Sequence, residues 1–123
     1  MNTRRTVLAG LGAVLLYRPA AAHHGWLWTL DGLFELTGVL TSIRLGNPHG
    51  VLKVDVEGEI WTVEVGYPAQ NYRAGLTDDL FVVGNDITIV GQRAEDETLK
   101  WVKARRITID GQLYDLYPDP DPK

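Results

Sequence analysis

The segment from residue 47 to residue 64 constrains the fold most, because it has the pattern of a β-hairpin. Apolar and polar residues alternate on both sides of Glu57-Gly58, as they do in strands with one buried face. A two-residue turn at Glu57-Gly58 predicts three facing pairs, which are Val54 with Trp61, Leu52 with Val63, and Val51 with Glu64. The first two pairs face the core and the third faces outward. This register places His49 diagonally across from Glu64 on the outer face.

The first 22 residues have the features of an export signal. Arg4-Arg5 precede an apolar run over residues 7–17, and Ala20-Ala21-Ala22 offers small residues for cleavage. The run is shorter than the roughly 20 residues that cross a bilayer. The arginine pair resembles a twin-arginine signal, with general export as the alternative. Cleavage after Ala22 predicts a periplasmic or otherwise exported chain that has no membrane span and begins at His23.

Composition narrows the class of protein. The whole chain carries a net charge of −4 and no cysteine. Removing the signal, which holds three arginines and no carboxylate, leaves a more acidic mature domain. The absence of cysteine excludes disulfides and thiolate metal sites, so the core must be stable without cross-links.

Periodicity outside the hairpin predicts three further strands and a short helix. The strands cover residues 34–45, 86–92 and 99–109, and the helix starts at Pro68 and is capped by Gly75. In the first strand, Gly38 marks a bend and one face carries Val39, Thr41, Ile43 and Leu45. In the fourth strand, Ile87 and Ile89 point the same way.

Three strands, a helix and two strands predict an all-β fold, a five-stranded OB-like Greek-key barrel with the helix between strands 3 and 4. A β-sandwich would need about seven strands. The predicted divisions are a signal (1–22), an N-terminal arm (23–33), the barrel (34–112) and a proline-rich tail (113–123). The usual OB ligand surface, strands 2 and 3 with the loop before them, carries His49 and Glu64.

The histidines form the main candidate site. The chain has three, His23, His24 and His49, and an N-terminal histidine chelates copper(II) through its amine and ring, with zinc or nickel as alternatives. This resembles half of the histidine brace of lytic polysaccharide monooxygenases and some periplasmic copper carriers. His49 is the better third ligand, because the ring of His24 adjoins the chelate. Glu64 is then an outer ligand or orients an imidazole. The opposing interpretation is a polar start and an ordinary loop histidine.

Cations on the last strand suggest a second surface. They are Lys100, Lys103, Arg105 and Arg106. With Tyr67, Tyr72 or Trp101 as stacking platforms they could follow a phosphate backbone. The acidic domain and the export signal argue against nucleic acid. We therefore expect solvated charges that prevent edge pairing.

Several motifs resemble an uncharacterised family of small exported bacterial proteins, catalogued as a domain of unknown function. They are His23-His24, Asn47-Pro48-His49, the strand at residues 61–64, Gly75-Leu76-Thr77 and residues 84–91. Members usually continue His-His with Ser-Phe, where this chain has Gly25-Trp26. The resemblance implies export and layout and brings no activity.

The sequence thus favours an exported metal-binding protein, with copper as the expected metal, that acts as a non-catalytic carrier or sensor. The alternative is an OB-type adaptor for a peptide, a saccharide or another periplasmic protein. A copper oxygenase is the weaker alternative, since the chain shows no substrate platform. No catalytic residue is identified.

Overall fold

Six strands and one short α-helix make up residues 29–118, the part of the chain that the computed structural model describes. The strands are β1 (Phe34–Arg44), β2 (Val51–Val56), β3 (Glu59–Glu64), β4 (Asp86–Arg93), β5 (Trp101–Ile109) and β6 (Gln112–Asp115). Helix α1 (Pro68–Arg73) follows β3, and a 3-10 helix (Asp78–Leu80) follows α1. Within the described residues, no helix is long and apolar enough to span a membrane.

The first five strands close into a barrel because β3 pairs on both of its edges. The sheet order is β3-β2-β1-β4-β5-β6, with a further pairing of β3 with β5. That closing seam is parallel and joins Thr62 to Trp101, Val63 to Val102 and Glu64 to Lys103. The predicted five-stranded OB-like barrel, with a short helix between strands 3 and 4, is confirmed.

The β2–β3 hairpin has the predicted register. Leu52 pairs with Val63, Val54 with Trp61, and Val51 with Glu64. The turn residues Glu57 and Gly58 have φ values of 52° and 91°, as in the turns that match strand twist. The Asp55 carboxylate accepts a 2.8 Å hydrogen bond from the Gly58 amide, which stabilises the turn. The inner face of the hairpin is fully part of the barrel core.

The barrel core is apolar and draws on every strand of the barrel. Ile87 and Ile89 of β4 point the same way, as predicted, and both are buried. Its other largest fully buried apolar side chains are Leu40, Leu52, Val54, Val63, Val65, Leu76, Val102 and Ile107. Because the two faces of each strand differ in this way, a one-residue slip in register would expose the core.

A bulge in β1 corrects the predicted face of that strand. The register between β1 and β2 shifts between Leu40 and Ser42, so Thr41 is an extra residue. The core side therefore carries Leu36 and Leu40 before the bulge and Ile43 after it. Placing Val39 and Thr41 on the face of Ile43 was wrong, because the bulge inverts the alternation.

Gly38 lies where β1 passes from β4 to β2. Val39 pairs with Asp86 on one side and Asp55 on the other. A Cβ at Gly38 would collide with the Asp55 carbonyl group. The predicted bend therefore coincides with a close backbone approach that a side chain would prevent.

The helix forms where proline and glycine predicted it. Pro68 occupies its first turn, and Gly75 just beyond it has a φ of 85°. The Gly75 amide donates to the Tyr72 carbonyl at 2.9 Å, which satisfies one of the carbonyls that a helix end leaves open.

Two buried cations on β5 contradict the expectation of a solvated basic stripe. The register with β4 shifts between Val90 and Gly91, which leaves Arg105 as the extra residue. Lys103 and Arg105 are both buried, and the Arg105 guanidinium lies 5.2 Å from the centre of the Tyr117 ring. Expecting these two cations in solvent was wrong, because Lys103 pairs with Glu64 across the β3–β5 seam and Arg105 packs against Tyr117 after β6.

The sheet continues past residue 112, although the sequence predicts a proline-rich tail from residue 113. Asp110 and Gly111 have φ values of 52° and 78° and connect β5 to β6 as a tight hairpin. Leu116, beyond β6, is buried in the core, and its amide donates to the Arg105 carbonyl. Residues 113–116 thus belong to the folded domain.

Candidate functional site

The loop between β1 and β2 holds His49 against the end of β3. The Gly50 amide donates to the Gly66 carbonyl at 3.2 Å, and the Val65 amide donates to the Gly50 carbonyl at 2.9 Å. These two bonds extend the β2–β3 ladder by one step. Strand pairing therefore fixes the backbone directly after His49, which is not a free loop.

His49 and Glu64 lie next to each other, as the register predicts. Their Nε2 and Oε1 atoms are 3.9 Å apart, and the side chains are 34% and 14% exposed. This separation is too long for a hydrogen bond. The other ring nitrogen, Nδ1, is buried and has no hydrogen-bond partner. One nitrogen of this ring thus faces a carboxylate and the other is an unsatisfied buried atom.

Lys103 is a third member of this cluster that sequence reasoning did not place there. Its Nζ atom donates to Glu64 Oε1 at 3.0 Å, and its side chain is 3% exposed. The two residues are direct neighbours across the parallel β3–β5 seam. No local sequence pattern indicates this contact, because the two residues are separated by 39 positions. Only the pairing of β3 with β5 brings them together.

The cluster of His49, Glu64 and Lys103 offers one imidazole and one carboxylate to a metal. Among residues 29–118, no group of three or more potential ligands comes together. His23 and His24 lie outside the described residues, so their positions relative to His49 stay predictions. Nearly all buried nitrogens are hydrogen-bonded or bound to a ligand, and the Nδ1 atom of His49 lacks such a partner. A bound metal would supply one. The donor chemistry is thus compatible with a metal whose remaining ligands come from elsewhere.

A separate cluster at the start of β5 joins aromatic rings to cations. Phe34 and Trp61 stack with ring centres 5.1 Å apart, and the Arg93 guanidinium lies 5.2 and 5.1 Å from them. Lys100 lies 5.6 Å from the Trp61 ring. Trp61 is buried, so its ring is no stacking platform. This cluster stabilises the wall of the barrel.

The aromatic residues considered as platforms, Tyr67, Tyr72 and Trp101, are all exposed. The Tyr67 hydroxyl accepts a 2.9 Å hydrogen bond from Arg73. Two of the four cations that would accompany them, Lys103 and Arg105, are buried. The continuous basic track that a phosphate backbone would need is therefore broken on β5.

A shallow groove of about 430 Å³ lies elsewhere on the barrel. Its lining residues are Gly84, Asn85, Asp86, Ile87, Thr88, Thr108, Asp110 and Gly111. None of them belongs to the cluster of His49, Glu64 and Lys103. The groove and the cluster are thus independent features of the surface.

Comparison with solved structures supports the fold. The Stn1–Ten1 complex of S. pombe matches with a TM-score of 0.51 and 15% identity, over 63% of this chain and 57% of that one. A ZRD-deleted mutant of TiaS in complex with agmatine gives 0.49 and 13% identity, over 68% and 26%. A complex of TiaS with a tRNA, AMPCPP and agmatine gives 0.49 and 14%, over 66% and 19%. The chain thus spans less than two thirds of each of these chains, and the likeness to the first of them concerns the fold alone.

Comparison of sequences gives the family. No curated protein matches the chain. The family profile matches residues 13–102, which include all three histidines and Glu64. The chain therefore belongs to DUF6152, a family of unknown function.

Proposed function

We propose that this protein is an exported copper-binding module built on an OB barrel, and that it acts as a non-catalytic carrier or sensor. One observation carries the proposal, the buried Nδ1 atom of His49 that lacks a partner beside Glu64. Metal-binding histidines commonly donate the N–H of their second ring nitrogen to a carboxylate, and Glu64 lies 3.9 Å from the Nε2 atom of His49, on the side where such a partner would be needed. An OB barrel in general is a binding module, which agrees with this role.

The remaining ligands in this proposal come from the mature N-terminus. His23 supplies its amine and its ring, His49 supplies a third nitrogen, and His24 is available as a further imidazole. Glu64 orients the His49 ring. The amine and ring of one residue form a chelate that favours copper(II), so copper is proposed ahead of zinc or nickel.

Export is part of the same proposal. The amine of His23 is free only if the signal is cleaved after Ala22. Cleavage would expose the free amine that the chelate needs. The N-terminal arginine pair and the apolar run support this localisation.

The test is copper(II) titration of correctly processed protein beside a version acetylated at the amine of His23, which retains every side chain. We expect acetylation to weaken binding, because it converts the amine into an amide. His49→Ala should weaken binding further, and Glu64→Gln should have the smaller effect of about ten-fold. His24→Ala tests whether the further imidazole also binds the metal. Equal affinities and electron paramagnetic resonance spectra for the two N-termini would rule out the amine as a ligand.

Copper affinity should also depend on pH in a defined direction. An unperturbed α-amino group has a pKa of about 7.7–8.0 and must lose its proton to bind. We expect affinity to fall as pH decreases through that range. The acetylated version should lack this step, which separates the amine from the other ligands.

Exposed apolar side chains favour a second candidate, an adaptor for a peptide or a partner protein. Ile60, Leu99 and Trp101 are exposed at the start of β3 and β5. The pairing of Thr62 with Trp101 places Ile60 beside Leu99 on the outer face. OB barrels often bind ligands on this side of the sheet. In this case Ile60→Ser would abolish partner binding, whereas His49→Ala and the control Val83→Ser would not.

A further inference from the structure

Three exposed apolar side chains form one patch where the β3–β5 seam begins. Ile60, Leu99 and Trp101 are 49%, 44% and 37% exposed. The Thr62 amide donates to the Lys100 carbonyl at 2.8 Å, which holds the residues just before β5 alongside β3. We call Ile60, Leu99 and Trp101 the seam patch. Exposed apolar side chains that lie together mark interaction sites, whereas single ones are ordinary.

Two exposed turns place carboxylates beside the seam patch. Glu57 lies in the β2–β3 turn and Glu59 directly after it, and residues 95–97 supply three more carboxylates between β4 and β5. The Leu99 amide donates to the Asp96 carbonyl at 3.0 Å, so the second turn folds back next to the patch. All five acidic residues are exposed. They form an acidic border on the two turns that flank the patch.

The cations beside the patch are engaged within the protein. Lys53 donates to the Thr62 hydroxyl at 2.7 Å, Arg93 donates to the Glu97 carbonyl at 3.3 Å, and Lys100 lies 3.9 Å from a carboxylate oxygen of β3. In the described part of the chain, no cation lies within salt-bridge distance of Glu97, nor of the carboxylate in the β2–β3 turn. The five carboxylates also outnumber these three cations. The acidic border therefore keeps an excess of negative charge.

This excess charge restricts what can cover the patch. A symmetric interface with a second copy would bring the same carboxylates against one another, and like charges in an interface oppose association. A nucleic acid would be repelled in the same way, because its backbone is anionic. A protein segment with an apolar side chain between cations complements both the patch and its border.

We propose that the seam patch binds a segment of another protein in which an apolar side chain is flanked by lysine or arginine. The inference rests on the adaptor role, the second candidate function, and deepens it by naming the chemistry of the partner. It does not depend on copper. Ile60, Leu99 and Trp101 supply the apolar contact, and the acidic border pairs with the flanking cations.

The first experiment selects binders from a phage-displayed library of random short peptides, with the processed protein as bait. We expect the enriched peptides to share an aliphatic or aromatic residue flanked by lysine or arginine. Calorimetry with a synthetic copy of the most enriched peptide should show that Ile60→Ser weakens binding by about ten-fold or more, because the variant removes buried apolar contact. Leu99→Ser should act in the same direction. Val83→Ser, at a 58% exposed apolar position in the loop before β4, is the matched control.

Charge reversal tests the acidic border. The double variant Glu57→Lys/Glu97→Lys should weaken binding of the same peptide by about ten-fold at low salt and by less at high salt, because salt screens exposed charges. A peptide with glutamate in place of each cation should bind this variant more tightly than it binds the wild type. Asp86→Lys is the control, because it reverses an exposed charge where β4 begins, at the end opposite the 95–97 turn.

The outcomes separate the inference from the adaptor role. Enriched peptides that need Ile60 but carry no cations, or whose affinity survives the charge reversal, would overturn the inference and leave the adaptor role standing. If no peptide is enriched, or if Ile60→Ser and Leu99→Ser leave binding unchanged, both are refuted. A dimer in sedimentation velocity that dissociates in Ile60→Ser would mean that a second copy covers the patch, which would also overturn the inference.

Discussion

Replacing Glu64 with leucine should destabilise the barrel, because the change removes the carboxylate that pairs with a buried ammonium. Lys103 is 3% exposed and donates to Glu64 at 3.0 Å. The pair lies on the seam through which β3 and β5 close the barrel. The variant would leave the Lys103 charge inside the protein without this carboxylate.

The expected loss follows from the burial of the pair. Removing one partner of a buried ion pair costs about 3–5 kcal/mol. We expect a value near the lower end, about 3 kcal/mol, because Glu64 keeps some contact with water. For a domain of this size, each 1 kcal/mol lowers Tm by roughly 4–8 °C. The melting temperature should therefore fall by about 12–24 °C.

Urea unfolding provides the assay, with fluorescence of the buried Trp61 as one probe and circular dichroism as another. The double variant Glu64→Leu/Lys103→Met removes both charges and should recover most of the loss, since an apolar pair often replaces a buried ion pair at little cost. Glu59→Leu is the control, because its pair with Lys100 is exposed and should be worth at most about 1 kcal/mol.

Two results would refute this reasoning. One is a Glu64→Leu variant as stable as the wild type to within about 0.5 kcal/mol, the range expected of surface changes. The other is a double variant no more stable than Glu64→Leu, because the loss would then come from the leucine and not from the loss of the ion pair.

Three further predictions concern the rest of the barrel. Leu52→Ala, at a fully buried position, should lower the free energy of unfolding by about 3 kcal/mol in urea titrations, and a loss under about 1 kcal/mol would contradict the core assignment. Gly91→Ala should cost about 1–3 kcal/mol, because its methyl group would collide with the Lys103 carbonyl at the bulge; an unchanged urea midpoint would count against that packing. Hydrogen bonds from Thr98 lower the pKa of Asp96. These bonds therefore stabilise the turn at pH values above the ordinary carboxyl pKa, and that stabilisation is lost as pH falls through the lowered pKa of Asp96. Amide exchange at Thr98 should therefore quicken with acid relative to neighbouring amides, and Asp96→Asn should remove that pH dependence.

Local patterns in the sequence predicted most of the fold. Alternation on both sides of Glu57-Gly58 fixed the hairpin register, because a strand with one buried face tolerates no slip. Pro68 and Gly75 bounded the helix through their backbone preferences. The order of elements then left the OB barrel as the arrangement that fits five strands and one helix.

The bulges were not predicted, because each depends on contacts between distant strands. The extra residues Thr41 and Arg105 invert the alternation within otherwise regular strands. Neither position has an unusual residue that would mark it. The face of Ile43 relative to Val39, and the burial of Arg105, consequently differed from what a period of two indicates. The Asp110-Gly111 pair, in contrast, is a hairpin signal present in the sequence, and it connects β5 to β6.

For the candidate site, the sequence by itself determined that His49 and Glu64 would be neighbours, since the hairpin turn sets their register over a few residues. It also determined the chemistry available, three imidazoles and no thiol. Only the tertiary structure decided that Lys103 holds Glu64 and that the His49 Nδ1 atom is buried without a partner. The contact between Lys103 and Glu64 depends on the closure of the barrel through β3 and β5, a parallel pairing between segments far apart in the chain. Local periodicity indicates which face a side chain takes, but the closing of the barrel decides what lies against that face.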